Sequence, residues 1–213
     1  HPELSGQEYQ TTAFLREKLE DLGIRVLDSG LKTGLIAEIG KGRPVVALRA
    51  DIDALPILEQ TNLPYQSQNP GVMHACGHDF HQTSLLGAAA LLKEKEDQLE
   101  GTIRLIFQPA EEISEGASAV LATGLLDDVE GIIGFHNIPQ LKAGKLAINS
   151  GAMMAGVEKF KVSVTGVSSH AARPDLGVDT VTAVTTMVQN LQLLISRTVS
   201  PFEAAVLSIT PLV

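Results

Sequence analysis

Between residues 5 and 22 apolar positions recur at helical spacing, with Phe14, Leu15, Leu19 and Leu22 among them, and the pattern stops at Gly23. This predicts a first helix. Short runs of β-forming residues follow at 24–27, 34–39 and 44–49, and a stretch rich in Asn, Gln and Pro, about 61 to 71, reads as a loop. A second helix is predicted over 80–98, with Leu85, Leu86, Ala89 and Leu92 on one side, and Gly101 ends it. The mostly apolar stretch Thr102-Ile-Arg-Leu-Ile-Phe107 has the character of a buried strand. Residues 117–126 read as helix and 131–135 as another strand. Strands and helices that alternate in this way predict an α/β fold, a mixed and largely parallel sheet flanked by helices.

The texture changes near residue 156. Residues 158–165 alternate with period two, a helix is predicted over 179–197, and a strand over 204–209. So small a β-α-β unit cannot bury both of its faces alone, and it reads as the first half of a small α+β domain. The predicted division is therefore 1–155 and 156–213, both parts incomplete, with no internal repeat. The chain opens on His1-Pro2 without an initiator Met and closes on an apolar, strand-like run at 207–213. Intact domains usually end on exposed polar residues, so a fragment, or a processed or partly ordered chain, is expected.

Composition narrows the function classes. With 213 residues, 44% hydrophobic and 19% charged, the chain has ample material for a folded core. A formal net charge of −9 argues against nucleic acid or an anionic membrane as partner. No apolar run approaches the ~20 residues that span a bilayer. One cysteine excludes an internal disulfide, and no basic-then-apolar export segment is present, which points to a reducing, cytoplasmic setting.

The chemistry-bearing residues gather at strand ends. The strand at 44–49 runs into Asp51 and Asp53; the strand at 102–107 runs into Glu111 and Glu112; the strand at 131–135 runs into His136 and Asn137. His74, Cys76, His78 and Asp79 lie just before the second helix. Open α/β sheets bind ligands beyond the carboxyl ends of their strands. Cys76 and His78 are separated by one residue and point the same way in an extended segment. Thiolate and imidazole suit zinc, Glu112 and His136 would add ligands, and Glu111 would stay free as a base. Each feature has a plainer alternative. Glu111 and Glu112 also suit a solvated loop, Asp51 and Asp53 suit turn or helix capping, and His136 suits a hydrogen-bonded structural role. Cys76 with a nearby His would also serve as a nucleophile and base.

The strings at 48–56 (LRADIDALP), 73–79 (MHACGHD), 107–112 (FQPAEE) and 134–137 (GFHN) resemble the M20 metallopeptidases. More narrowly, they resemble its amidohydrolase branch of hippurate hydrolases, aminoacylases, auxin-conjugate hydrolases and N-acetyl-diaminopimelate deacetylases. The opening HPELSGQE is similar to that branch's N-terminal motif. The resemblance implies a zinc-peptidase catalytic domain of the phosphorylase/hydrolase-like type and a site for two divalent metal ions, zinc, manganese, cobalt or nickel. It implies Cys76 as bridging thiolate, His78, Glu112 and His136 as further ligands, Glu111 as general base and Asp51 as a residue close to the metals. The wider family has a ligand His where this chain has Arg49. The motif Gly166-Val-Ser-Ser-His170-Ala resembles the family's lid, or dimerisation, domain, in which the His polarises the scissile carbonyl in the partner subunit of a homodimer. The implied reaction is hydrolysis of an N-acyl amino acid, such as an N-acetyl or N-benzoyl one, by metal-activated water. Diaminopimelate deacetylation or dipeptidase-type activity is the alternative within the family. Members also continue beyond this point and carry a last ligand His, for which no residue after His170 substitutes. A piece of a longer chain is expected on that basis, or an inactive metal-binding or oligomerisation fragment.

Overall fold

In the computed structural model, which describes all residues except 152, 155 and 211–213, the first helical pattern forms α1, Tyr9–Asp21. Its start is set by Glu3, whose carboxylate accepts the N–H groups of Gln10 (3.1 Å) and Thr11 (2.7 Å) and so satisfies two unpaired donors of the first turn. Leu15 and Leu19, one turn apart, are both buried. Five strands follow through the first part of the chain: β1 (Arg25–Val26), β2 (Leu35–Lys41), β3 (Val45–Asp51), β4 (Gly101–Gln108) and β5 (Gly131–Gly134). The helix α2 (His78–Lys93) falls between β3 and β4, and α3 (Gly116–Ala122) between β4 and β5. The second helix is shorter than its sequence pattern, because the chain tightens into a 3-10 turn at Glu96–Gln98.

The strands form one mixed sheet in the order β1-β2-β4-β3-β5. The pairs β1/β2 and β2/β4 are antiparallel, whereas β3 runs parallel to both β4 and β5. Period-two alternation decides what each face meets. Leu35, Ala37, Ile39, Leu105 and Phe107 pack with Leu15, Leu19, Leu85 and Ala89 of α1 and α2, while Ile36, Ala47 and Ile106 pack with Val120 of α3. Helices thus cover both faces, which is why β2 and β4 are apolar at most positions, and the two charges in their middle, Glu38 and Arg104, pair with each other at 3.2 Å. Each of these buried Leu or Ile side chains contributes about 1.5–3 kcal/mol by leaving water.

The parallel trio β3, β4 and β5 sends three carboxyl ends the same way. In the parallel register Asp51 lies beside Gln108 and Arg49 beside Gly134. The polar clusters that follow these three strands, at Asp51 and Asp53, at Glu111 and Glu112, and at His136 and Asn137, therefore leave the sheet at one edge.

Two compact units are distinguished, His1–Lys142 and Ala143–Val213. The second contains α4, Thr180–Thr198, whose start is capped by Asp179, its carboxylate accepting from Val181 N–H (2.9 Å) and Thr182 N–H (3.2 Å). The strands expected at 158–165 and 204–209 do not form among the described residues, where the unit's β pairing is one bridge between Val167 and Val178. Alternation of apolar and polar side chains signals one face suited to burial, but a strand also needs a hydrogen-bonding neighbour. Here Val162 and Val206 stay exposed.

Candidate metal centre

The site begins with a buried ring. His78 opens α2 directly after Gly77, whose left-handed φ of +84° turns the chain into the helix. A side chain at Gly77 would also collide with Asn137, as a Cβ there would lie 2.3 Å from its Oδ1. His78 is fully buried, and its Nδ1–H donates to the Asp53 carbonyl at 2.9 Å, with the Asp53 carboxylate at 3.2 Å. That fixes the tautomer: in the neutral ring Nε2 carries the lone pair. Nε2 faces Asp51 Oδ2 (3.6 Å), Glu112 Oε1 (3.8 Å) and Glu111 Oε2 (3.9 Å). Burial opposes a charge on this ring, but the Asp53 hydrogen bond and the surrounding carboxylates outweigh it and raise its proton affinity.

Asp53 is the hidden organiser. Its Oδ2 accepts from Ser5 Oγ–H (2.7 Å) and from the backbone N–H of Glu112 (3.0 Å). Burial alone would push this carboxyl up, yet the bonds from His78, Glu112 and Ser5 prevail and hold it at about 2. Asp51 is equally engaged. Its Oδ1 accepts from His81 Nδ1–H at 2.6 Å and its Oδ2 from Arg49 Nη1 at 2.6 Å, while Arg49 Nε reaches Gln108 Oε1 at 2.9 Å. Burial again acts upward, and His81 and Arg49 bring the net shift downward. Beyond Asp51, His81 Nε2 accepts the Asn137 N–H at 3.0 Å, tying α2 to the end of β5.

Around His78 lie the other expected ligands. Cys76 Sγ is 3.3 Å from His136 Nε2, and His136 Nδ1–H donates to the Asn137 carbonyl at 2.8 Å. Among the described residues three sets of ligand atoms each lie within 4.8 Å of one another: Cys76, His78 and His136; Asp51, His78 and His81; His78, Glu111 and Glu112. His78 belongs to all three. Cys76, His78, Glu112 and His136 are therefore brought together, with Glu111 and Asp51 beside them. His170 lies in the second unit, exposed, with Nδ1 accepting the Ala172 N–H at 3.1 Å, so its neutral ring presents Nε2–H as a donor.

Do these residues suit a divalent ion? Two atoms answer. His78 Nε2 and Glu112 Oε1 are buried and have no hydrogen-bond partner among the described residues. An orphaned buried polar atom costs about 1–3 kcal/mol, and both orphans lie in the same cluster. Their ring and carboxylate, joined by thiol and imidazole, are the donor types that bind zinc-like ions. The His78 Nδ1–H bond to Asp53 is the outer support that ligand histidines commonly carry. Burial and the charges of Glu112, Glu111 and Asp51 push the Cys76 thiol up to about 11. A thiol so placed is a poor nucleophile by itself, whereas a cation among these acids reverses the balance. The residues fit the metal.

The sequence places Asp53 and Asn137 at strand ends without giving either a role in the site, and it does not single out His81 or Ser5. The signal for His81 was present, since it follows His78 by three positions on one helix face. Asp53 stands at a strand end beside Asp51, where capping is its plainer role, and nothing local marks Ser5.

Comparison with known proteins points the same way. The family model of Peptidase family M20/M25/M40 matches residues 47–205. N-acetyl-L-cysteine deacetylase of Bacillus subtilis (strain 168) is 48% identical over 211 residues, covering 98% of this chain and 51% of the relative. N-acyl-L-amino acid amidohydrolase of Geobacillus stearothermophilus is 42% identical over 216 residues, covering 100% of this chain and 58% of the relative. Among solved structures, the Bacillus subtilis YXEP protein, described as a dinuclear metal binding peptidase from M20 family, is 58% identical. That match has a TM-score of 0.65 and covers 66% of this chain and 40% of the other. The chain spans about half the length of the curated relatives it matches.

Proposed function

The chain belongs to peptidase family M20/M25/M40, and from that premise we propose that the protein is a metal-dependent amidohydrolase that cleaves N-acyl amino acids into a carboxylic acid and a free amino acid. The observation that carries this reading is the pair of buried, unpartnered atoms, His78 Nε2 and Glu112 Oε1, 3.8 Å apart beside Cys76 and His136. Relatives named for N-acetyl-L-cysteine and for N-acyl-L-amino acids share one chemistry, the amide between an acyl group and an amino acid nitrogen.

In this reading Cys76, His78, Glu112 and His136 hold two divalent ions, zinc, manganese, cobalt or nickel. When bound, the ions supply Lewis-acid polarisation of the scissile carbonyl and make water easier to deprotonate. The remaining work falls to side chains. Glu111, left free by the other acids, takes the proton of the attacking water and passes it to the leaving amine nitrogen. Burial first, then the Asp51 and Glu112 charges, raises its proton affinity, as a group that both accepts and returns a proton requires. Asp51, clamped between Arg49 and His81, keeps its charge fixed beside the cluster. Asp53 aims His78. In the proposed division 1–155 carries the catalytic centre and 156–213 begins a lid through which two copies pair, and His170 Nε2–H donates to the carbonyl oxygen in the partner's site as charge develops. The setting proposed is cytoplasmic; among the described residues no helix is long and apolar enough to cross a membrane.

The test uses the purified full-length protein, loaded with each of the four metals or stripped by chelator. Release of free amino acid is followed from a panel of N-acetyl, N-benzoyl and longer N-acyl amino acids. Release that depends on metal and returns on reloading is expected. No release from any member of the panel would overturn the reading, and release that survives the chelator would favour Cys76 as nucleophile.

A further inference from the structure

We propose that Glu8 is a positioning residue for the carboxylate pair Glu111 and Glu112, an inference that rests on the hydrolase reading above. Glu8 stands immediately before α1, yet its side chain makes no cap hydrogen bond to that helix. Glu3 performs that task, accepting from Gln10 and Thr11. The Glu8 carboxyl turns instead to the end of β4. It is completely buried, and its Oε1 accepts the Ala110 N–H at 2.8 Å. Its Oε2 has no hydrogen-bond partner among the described residues.

The turn that it holds is a strained one. Ala110 has a φ of +49° and Ser114 one of +62°, in the left-handed region that side chains with a Cβ avoid. Such conformations persist only where the surroundings over-determine them. The surroundings here do so from several sides. The Ala110 carbonyl accepts from Glu115 N–H (3.2 Å) and Gly116 N–H (3.1 Å). Pro109 packs against the bare backbone of Gly34, where a Cβ would lie 2.5 Å from Pro109 Cδ. Gly34 N–H in turn donates to Thr12 Oγ1 at 2.8 Å, and the Thr12 hydroxyl donates to the Glu8 carbonyl at 2.6 Å.

Glu111 thus sits between two braced peptide groups. Ala110 N–H is held by Glu8, and Glu112 N–H is held by Asp53, which Ser5 supports. The segment Ser5-Gly6-Gln7-Glu8 thus braces the backbone on both sides of Glu111, directly through Glu8 and by way of Asp53 through Ser5, without touching the reacting atoms. A buried carboxyl carries a desolvation cost that an apolar side chain of the same size does not. What the carboxyl adds is one acceptor, aimed at an N–H that would otherwise be buried without a partner.

The experiment compares Glu8→Leu, which removes the acceptor at similar volume, with Glu8→Gln, which keeps an Oε1 and alters only the unpartnered position. Both are made in the full-length protein. Three quantities are read: kcat and KM for an N-acetyl amino acid, bound metal per chain, and amide exchange of the 109–113 segment in the metal-free protein. A misplacement of about 1 Å can cost about 10²-fold in rate, so Glu8→Leu should lose about that in kcat at unchanged KM and metal content. Exchange at 109–113 should quicken, and Glu8→Gln should recover most of both. Parental kcat with parental exchange in Glu8→Leu overturns the proposal. So does a Glu8→Gln protein as impaired as Glu8→Leu. Should Glu8→Leu not fold, Glu8→Asp keeps the carboxyl on a shorter arm and is expected to show the same loss. A parent that hydrolyses no N-acyl amino acid refutes the hydrolase reading instead, and exchange at 109–113 then decides the brace by itself.

Discussion

Asp53→Asn is the substitution whose effect the structure specifies most fully. It preserves shape and removes the charge from a carboxylate that is 1% exposed. In the parent, Oδ2 accepts two N–H or O–H donors, Ser5 Oγ–H and Glu112 N–H, while Oδ1 faces the His78 ring. The variant must set an NH2 group where Oδ2 stood or turn it toward His78, so one donor is left facing another. The magnitude follows from linkage. Depression of the carboxyl from its ordinary 3.8 to about 2 is worth about 2 kcal/mol of stability at neutral pH, at about 1.4 kcal/mol per decade of proton affinity. The sign is that of a lowered acid. The contribution is complete above the unfolded value of 3.8 and is lost as pH falls from there through about 2. Urea unfolding of the chelated protein should therefore show the variant less stable by about 2 kcal/mol at neutral pH, with the gap closing only in the acid window. Because Asp53 also aims His78, titration calorimetry should show metal affinity reduced by about 10–100-fold. Equal urea midpoints at neutral pH, or a gap that persists unchanged through the acid window, would refute the assignment of Asp53 as a charged organiser.

Glu111→Gln should keep its metal, measured by elemental analysis, while hydrolysis falls by about 10²–10⁴-fold, because only proton transfer is removed; loss of metal would make Glu111 a ligand. Leu105→Ala empties a fully buried position between α1, α2 and the sheet, and should cost about 2–5 kcal/mol in urea unfolding without changing metal stoichiometry in the folded fraction. Mixing full-length His170→Ala with Glu111→Gln subunits should restore part of the activity through one intact hybrid site, and mixed dimers as inactive as either parent would remove His170 from the reaction.

Much of this protein is decided locally and is therefore legible along the chain. Helical spacing of Leu15, Leu19, Leu85 and Ala89 marks the buried faces of α1 and α2, and the run from Ile103 to Phe107 marks a strand covered on both sides. The placement of Cys76, His78, Glu111, Glu112 and His136 beside strand ends or a helix start follows from the same local patterns, because backbone periodicity requires only near neighbours. Partner identity is different. Whether a strand pairs depends on a neighbour elsewhere in the chain, so the alternation at 158–165 marked a face without making a strand among the described residues. Whether a carboxylate binds, catalyses or supports depends on what the sheet register brings beside it. Asp51 and Asp53 are two positions apart at the end of one strand, and apart from the family resemblance nothing local tells their roles apart. Folding gives one to Arg49 and His81, and the other to His78, Ser5 and Glu112. The reach of these contacts explains why they stay hidden: Asp53 meets His78 across 25 positions, and Glu8 meets Ala110 across 102. Hydrogen bonds over such separations exist only once chain direction, strand order and burial have been settled together, which is the work of the tertiary structure.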